Sequence, residues 1–291
     1  MRPPEQFFAC HVLVSFYIGD MPSNVVTIER RQNRARIVDD LRRVLPRLEA
    51  LPAKALPFGV SALDDCFPQG GLAFGALHEV AAESDGDLPA AFGFVAALLA
   101  RMQGGPVLLI TSPRGLSGSP HGHGLNALGL DPARLILVEA GDERQALWAM
   151  EEALRSGAPA AVSGAIGKGL DLKASQRLQL AARTSGLPLL LLRPGGALGG
   201  ALGGGALGGG ALGLSAATTR WRIGAAEAAR DRFGLIARWR WRVRLERCRN
   251  GRPGEWVVEW DHVAHRFSLA AALADPALPR SAGTHFFARA G

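Results

Sequence analysis

Residues 135–162 read LILVEAGDERQALWAMEEALRSGAPAAV, and the order of cues within them decides the fold. The stretch opens on Leu135-Ile136-Leu137-Val138, an apolar run of strand length. Asp142 then stands as a helix N-cap with Gln145 three residues later, and Leu147, Met150 and Leu154 recur on one face. Gly157 follows the last periodic position, where a left-handed C-cap is needed, and 160–162 is a second apolar run. The spacing predicts strand, helix, strand, with a right-handed crossover between parallel strands. Outward on either side lie two more such runs, 107–110 and 187–192, and two more helical patterns, 89–102 and 172–184. Runs of this kind suit strands buried on both faces. The fold class is therefore α/β, a mainly parallel sheet flanked by helices.

Towards the C-terminus the pattern changes twice. Residues 195–214 are an almost pure Ala-Leu-Gly repeat, too glycine-rich for helix or strand, and are expected to be a flexible loop or linker. Arg238-Trp239-Arg240-Trp241-Arg242-Val243-Arg244-Leu245 then alternates strictly; Asn250-Gly251-Arg252-Pro253-Gly254 follows, and Trp256-Val257-Val258-Glu259-Trp260 returns. This predicts a β-hairpin.

Towards the N-terminus, Ile37, Leu41, Leu45, Leu48 and Leu51 mark an amphipathic helix within 23–51, kinked or divided at Pro46. Its apolar stripe packs on its own domain or on a neighbouring protomer. Residues 52–57 are a linker, and 1–20, which lack steady period or caps, are expected to be disordered or to precede a true start at Met21. The expected divisions are 1–20, 21–56, a core at 57–273 and a tail at 274–291.

Composition sets further bounds. The chain has 291 residues, of which 48% are hydrophobic and 20% charged, with a mean hydropathy of +0.10, so it is too apolar to be disordered. No apolar run reaches the roughly 18–20 residues of a membrane span, and the stretch at 12–18 lacks a signal-peptide cleavage site. Cys10, Cys66 and Cys248 are too scattered for a disulfide framework or a metal knuckle, which fits a cytoplasmic protein. The net charge of +7, almost wholly from arginine, favours phosphate-bearing or acidic partners.

Gly59-Val60-Ser61-Ala62-Leu63-Asp64, followed by Gly70-Gly71-Leu72-Ala73-Phe74-Gly75-Ala76-Leu77-His78-Glu79-Val80, resembles the lead-in of RecA-type ATPases. In that family a phosphate loop, GxxxxGK[ST], comes next, its amides and lysine holding a triphosphate. The matching residues here are Ala81, Ala82, Glu83, Ser84, Asp85, Gly86 and Asp87. Three carboxylates replace the lysine's positive field, so the resemblance implies a degenerate phosphate loop and no nucleotide cofactor. The family's water-activating glutamate is replaced at Ser112-Pro113-Arg114, and its magnesium-associated aspartate at Ala161-Val162-Ser163-Gly164. Within the superfamily the chain resembles the ImuA family, on Gly129-Leu130-Asp131-Pro132-Ala133-Arg134-Leu135, on Ala217-Thr218-Thr219-Arg220-Trp221-Arg222 and on the Arg/Trp hairpin.

That resemblance implies a non-catalytic accessory protein of damage-induced (SOS) mutagenesis. Its implied partners are an ImuB-type Y-family polymerase homologue and an error-prone DNA polymerase subunit in translesion synthesis. The alternatives are an ATPase with an unconventional nucleotide site and a SulA-like inhibitor of cell division. By the same resemblance 164–173 and the Gly-rich repeat stand where RecA has its DNA-binding loops; Lys168 and Lys173 are read as solvated.

In the hairpin, Arg238, Arg240, Arg242 and Arg244 share one face, and Trp239, Trp241, Val243 and Leu245 the other. One reading is a solvated face over buried tryptophans, with Glu255 and Glu259 pairing across. The other, joined by Arg220, Arg222, Arg247 and Arg249, is a basic surface for a nucleic acid or an acidic partner. His121 and His123 lack a third ligand in sequence, so no metal is expected. Ser163 lacks a nucleophile elbow, so a hydrolase is not expected.

Overall fold

The computed structural model describes residues 54–271 apart from 117, 168–169, 196–213, 229 and 231. The chain divides into Met1–Pro52 and Ala53–Gly291, and every described element belongs to the second unit. The expectations for 1–20, the helix at 23–51, the body of the Gly-rich repeat, Lys168 and the tail at 274–291 lie outside the described residues.

A small antiparallel pair opens the unit, β1 (Ala55–Leu56) with α1 (Ser61–Asp64) ahead of β2 (Leu72–Ala73). The lead-in motif has structural work to do here. Asp64 accepts from the amides of Phe58, Gly59 and Val60 at 2.7, 2.9 and 3.1 Å, and a side chain on Gly71 would run into the Leu56 carbonyl.

The alternating part comprises β3 (Leu77–Ala82), α2 (Leu88–Ala100), β4 (Val107–Thr111), α3 (Gly122–Ala127), β5 (Leu135–Glu139), α4 (Glu143–Ser156), β6 (Ala161–Ala165), α5 (Leu172–Ser185) and β7 (Leu189–Arg193). Then come β8 (Thr219–Ala225), β9 (Trp239–Cys248), β10 (Gly254–Asp261) and β11 (Arg266–Leu269). Among the described residues the strands β3 to β11 form one sheet in the order β11-β10-β9-β8-β3-β7-β6-β4-β5. From β8 to β5 every pairing is parallel; from β8 to β11 every pairing is antiparallel. A largely parallel sheet between helices is the expected α/β class and is consistent with a RecA-like architecture.

The α4 signals act as read. Gln145 N donates to Asp142 Oδ1 at 2.7 Å, the Gln145 side chain reaches back to Gly141 N, and Gly157 is left-handed at φ 65°. The expected hairpin is real but forms half of a four-strand meander, since β8 and β11 extend it.

Two expectations are corrected. The run 135–138 is not buried on both faces: β5 is the sheet's edge, with Ile136 48% and Leu137 38% exposed, because no strand lies beyond it among the described residues. The strand at the middle of the sheet, β3, is not one of the four apolar runs, because His78 and Glu79 interrupt its apolar character.

The sheet buries a core on each face. On one, α2 covers an aromatic cluster in which Phe58, Phe94, Trp221, Trp241 and Phe267 pack ring against ring. On the other, α4 and α5 bring Met150, Leu154 and Leu178 onto Leu189 and Leu191. Gly164 lets Met150 lie against β6, for a Cβ there would meet its methyl group. The antiparallel half carries apolar residues towards the aromatic cluster and a row of arginines on its other face, as suits a sheet solvated on one side.

Candidate functional site

Between the end of β3 and the start of α2, where the resemblance places a phosphate loop, the chain closes on itself. Ala81 and Ala82 are strand residues, buried in β3. Glu83 donates its amide to the Ile223 carbonyl at 2.8 Å, and its carboxylate lies 2.9 Å from Arg242 Nη1. Ser84 caps a single 3₁₀ turn over Asp85, Gly86 and Asp87. Asp87 organises the turn: its carboxylate takes the Ser84 amide at 3.1 Å, the Ser84 hydroxyl at 2.5 Å and the Ala225 amide at 2.8 Å. Burial acts to raise this carboxyl, but those hydrogen bonds and the nearby Arg242 outweigh it and hold it below its ordinary value. A carboxylate of the chain itself thus occupies amides that face the sheet's C-terminal edge.

The candidate arginines are gathered on the outer face of β8 and β9, where most have intramolecular partners. Arg222 stands opposite Arg244 in the register, a like-charge pair that would repel. A β-bulge between Arg220 and Trp221 sets Glu246 beside them, and its carboxylate bridges both, at 2.6 Å from Arg222 Nε and 3.4 Å from Arg244 Nη2. Arg240 is buried and forks onto Glu259. Arg238 reaches Glu259 at 3.4 Å and Asp261 at 3.9 Å, and Arg242 holds Glu83. Arg247 donates to the Ser215 carbonyl at 3.1 Å; Arg249 is exposed. Glu259 therefore pairs across as expected, whereas Glu255 is exposed opposite Arg244, which turns to Glu246. The ring face divides: Trp241 is 4% exposed in the aromatic core, and Trp239 is half-buried at its rim.

The sequence reading passed over the polar pair within β3. His78 and Glu79 are both 0% exposed and point to opposite faces of the sheet. The Ala73 carbonyl, 2.8 Å from His78 Nε2, can only accept, so Nε2 carries the proton. Nδ1 then accepts from the Thr219 hydroxyl at 2.7 Å, and that oxygen accepts from Trp221 Nε1 at 2.8 Å. Burial lowers this histidine to about 4, against the Ala73 bond that raises it, so the ring is neutral. On the other face Glu79 accepts from the Ser215 hydroxyl and lies 3.6 Å from Arg193 Nη1 and 3.4 Å from Arg220 Nε. Burial lowers the Arg193 guanidinium, with Glu79 opposing. The available signal was a His-Glu pair inside a strand-length stretch.

The remaining candidates are ordinary. The Ser163 hydroxyl is buried and donates to the Leu190 carbonyl at 3.1 Å. His121 and His123 are exposed with rings 5.3 Å apart, and among the described residues no group of three or more His, Cys, Asp or Glu is placed to hold a metal ion. Ser112 is buried after β4, and Lys173 is exposed on α5. Among the described residues no helix is long and apolar enough to cross a membrane.

Against curated proteins, the chain is 40% identical over 239 residues to Protein ImuA of Caulobacter vibrioides strain NA1000 / CB15N, an overlap covering 77% of this chain and 92% of the relative. The chain belongs to the ImuA family. Protein ImuA of strain ATCC 19089 / CIP 103742 / CB 15 matches with the same identity and coverage. No protein-family model matches the chain. Within this ImuA-family member, the lead-in that carried the resemblance has a physical account: Asp64 ties three amides and Gly71 admits the β1–β2 pairing.

Proposed function

We propose that the chain is a non-catalytic accessory protein of damage-induced translesion synthesis, a scaffold for an ImuB-type Y-family polymerase homologue that works with an error-prone DNA polymerase subunit. The observation that carries the reading is Asp87: with its carboxylate on the Ser84 and Ala225 amides and Glu83 beside it, a triphosphate would meet fixed negative charge and donors already in use. A RecA-like core that does not turn over nucleotide is free to serve as a binding platform. The arginine row supports a protein partner over a nucleic acid, because most of its charge is engaged within the chain. Cations already paired within the chain release few counterions to a phosphate backbone, which weakens the drive for nucleic-acid binding.

The test is co-purification of the full chain with an ImuB-type polymerase homologue, without nucleotide and with ATP and magnesium, together with calorimetric titration of ATP into the chain alone. A complex indifferent to ATP and a flat titration are expected. Saturable ATP binding, or a complex formed only with ATP, would restore the ATPase reading and overturn this one.

A further inference from the structure

The outer surface of the two helices that cover the parallel half is a different matter from the arginine row. Between α4 and α5 runs a groove of about 500 Å³, lined among others by Leu147, Trp148, Glu151, Ala174 and Leu178, with Arg144 and Arg177 in its wall. Trp148 is 62% exposed, although helical periodicity leaves room for a polar residue at that outward position. Leu178 beneath it is buried, and Leu147 and Ala174 are half-buried, so the floor is apolar. The single carboxylate in the wall, Glu151, is buried and accepts from both Arg155 and Arg177. Arg155 is held by Glu152 as well, at 2.8 Å, so the groove's own lining sets Arg144 and Arg177 against Glu151, with Arg144 exposed. The groove is apolar below and positive at its lip.

We propose that this groove docks an acidic segment of a partner protein, which seats one bulky apolar side chain against Trp148 and sets carboxylates on Arg144 and Arg177. Tryptophan and arginine are among the residue types that carry most binding energy in interfaces, and the charge at the lip selects the sign of what binds. The longer segments of this chain outside the described residues are, each taken whole, not acidic. Residues 1–53 hold eight arginines against six carboxylates, 196–213 hold no charge, and 272–291 hold two arginines against Asp275. The charge of Arg144 and Arg177 therefore directs the site to an acidic segment of another protein. The inference is independent of the phosphate-loop region and of the hairpin, so it stands or falls separately from the scaffold reading above.

The test uses a displayed library of random dodecapeptides, selected on the immobilised full chain and counter-selected on Trp148→Ala. The expected outcome is a set of peptides of net negative charge, each with an aromatic or leucine anchor. Labelled copies of such peptides should lose affinity about tenfold on Trp148→Ala and several-fold on Arg144→Glu, with binding weakened by added salt. Both side chains are exposed, so thermal melting of the variants should match the parent. Failure to enrich any peptide that distinguishes the parent from Trp148→Ala would overturn the proposal, as would enrichment of basic peptides or binding indifferent to Arg144→Glu.

Discussion

At the scale of single residues, the most consequential group is His78. The folded chain holds it at about 4, and unfolding returns it to about 6.5. Between those values the unfolded state binds a proton that the folded state refuses, so stability falls as pH falls through that window. The contribution is fully present above about 6.5, and its loss is complete near 4, at about 3 kcal/mol. Urea midpoints measured from pH 7.5 to 4 should show the decline, and His78→Leu should flatten it; a flat parent profile would mean the ring is not buried neutral. Asp87 works at lower pH: its depressed carboxyl stabilises above its ordinary value, and that stability is lost on acidification below it. Cys248 is shielded, since burial, with Cys66 nearby, raises its thiol above the ordinary value. Alkylation by iodoacetamide at pH 8 should run slower at Cys248 than in an unfolded peptide carrying the same residues.

Among elements, the bulged strand pair β8–β9 carries the clearest expectations. Removing the Glu246 carboxylate leaves Arg222 facing Arg244 with nothing between them, so Glu246→Ala should cost about 1–2 kcal/mol, an amount restrained by the partial exposure of the pair. High salt should shrink that difference. Trp241→Ala should cost about 3–5 kcal/mol and Trp239→Ala less, since only the first ring lies within the aromatic cluster. Equal losses would mean that the rim is as tightly packed as the core. Elements of this kind were legible where a local code governs them. Asp142, Gln145 and Gly157 spelled out α4, and the Arg/Trp alternation spelled out β9. What the alternation left open was which arginines would be neutralised, because Glu246 reaches its partners only through a bulge and Glu83 arrives from the end of β3. Distances of that kind carry no signature in one strand's sequence.

For the whole molecule, the class of the sheet followed from its apolar runs, but its central strand β3 is not one of them, and β5, expected to be buried on both faces, lies at its edge. Periodicity reports how apolar a segment is, and β3 is less apolar than β5 because it buries a histidine and a glutamate whose partners are protein groups rather than water. Strand order depends on which backbones pair, and pairing across long loops is invisible to a local window. Among the described residues no strand pairs with the outer side of β5, and Ile136 and Leu137 beside that edge make a template for another strand. Ile136→Lys should slow aggregation on warming, measured by light scattering, while moving the melting temperature little; unchanged aggregation would place the sticky surface elsewhere.

The placement of β3 also sets a timetable for synthesis. This strand leaves the ribosome with neither neighbour yet made, since β7 and β8 follow it by more than a hundred residues. Until the chain reaches Arg220, His78 has the Ala73 carbonyl but lacks the Thr219 hydroxyl, and Glu79 lacks its full set of Arg193, Ser215 and Arg220, so the half-made sheet is a surface for a chaperone. A nascent chain stalled before Thr219 should therefore stay bound to such holders, and one released past Leu269 should let go of them.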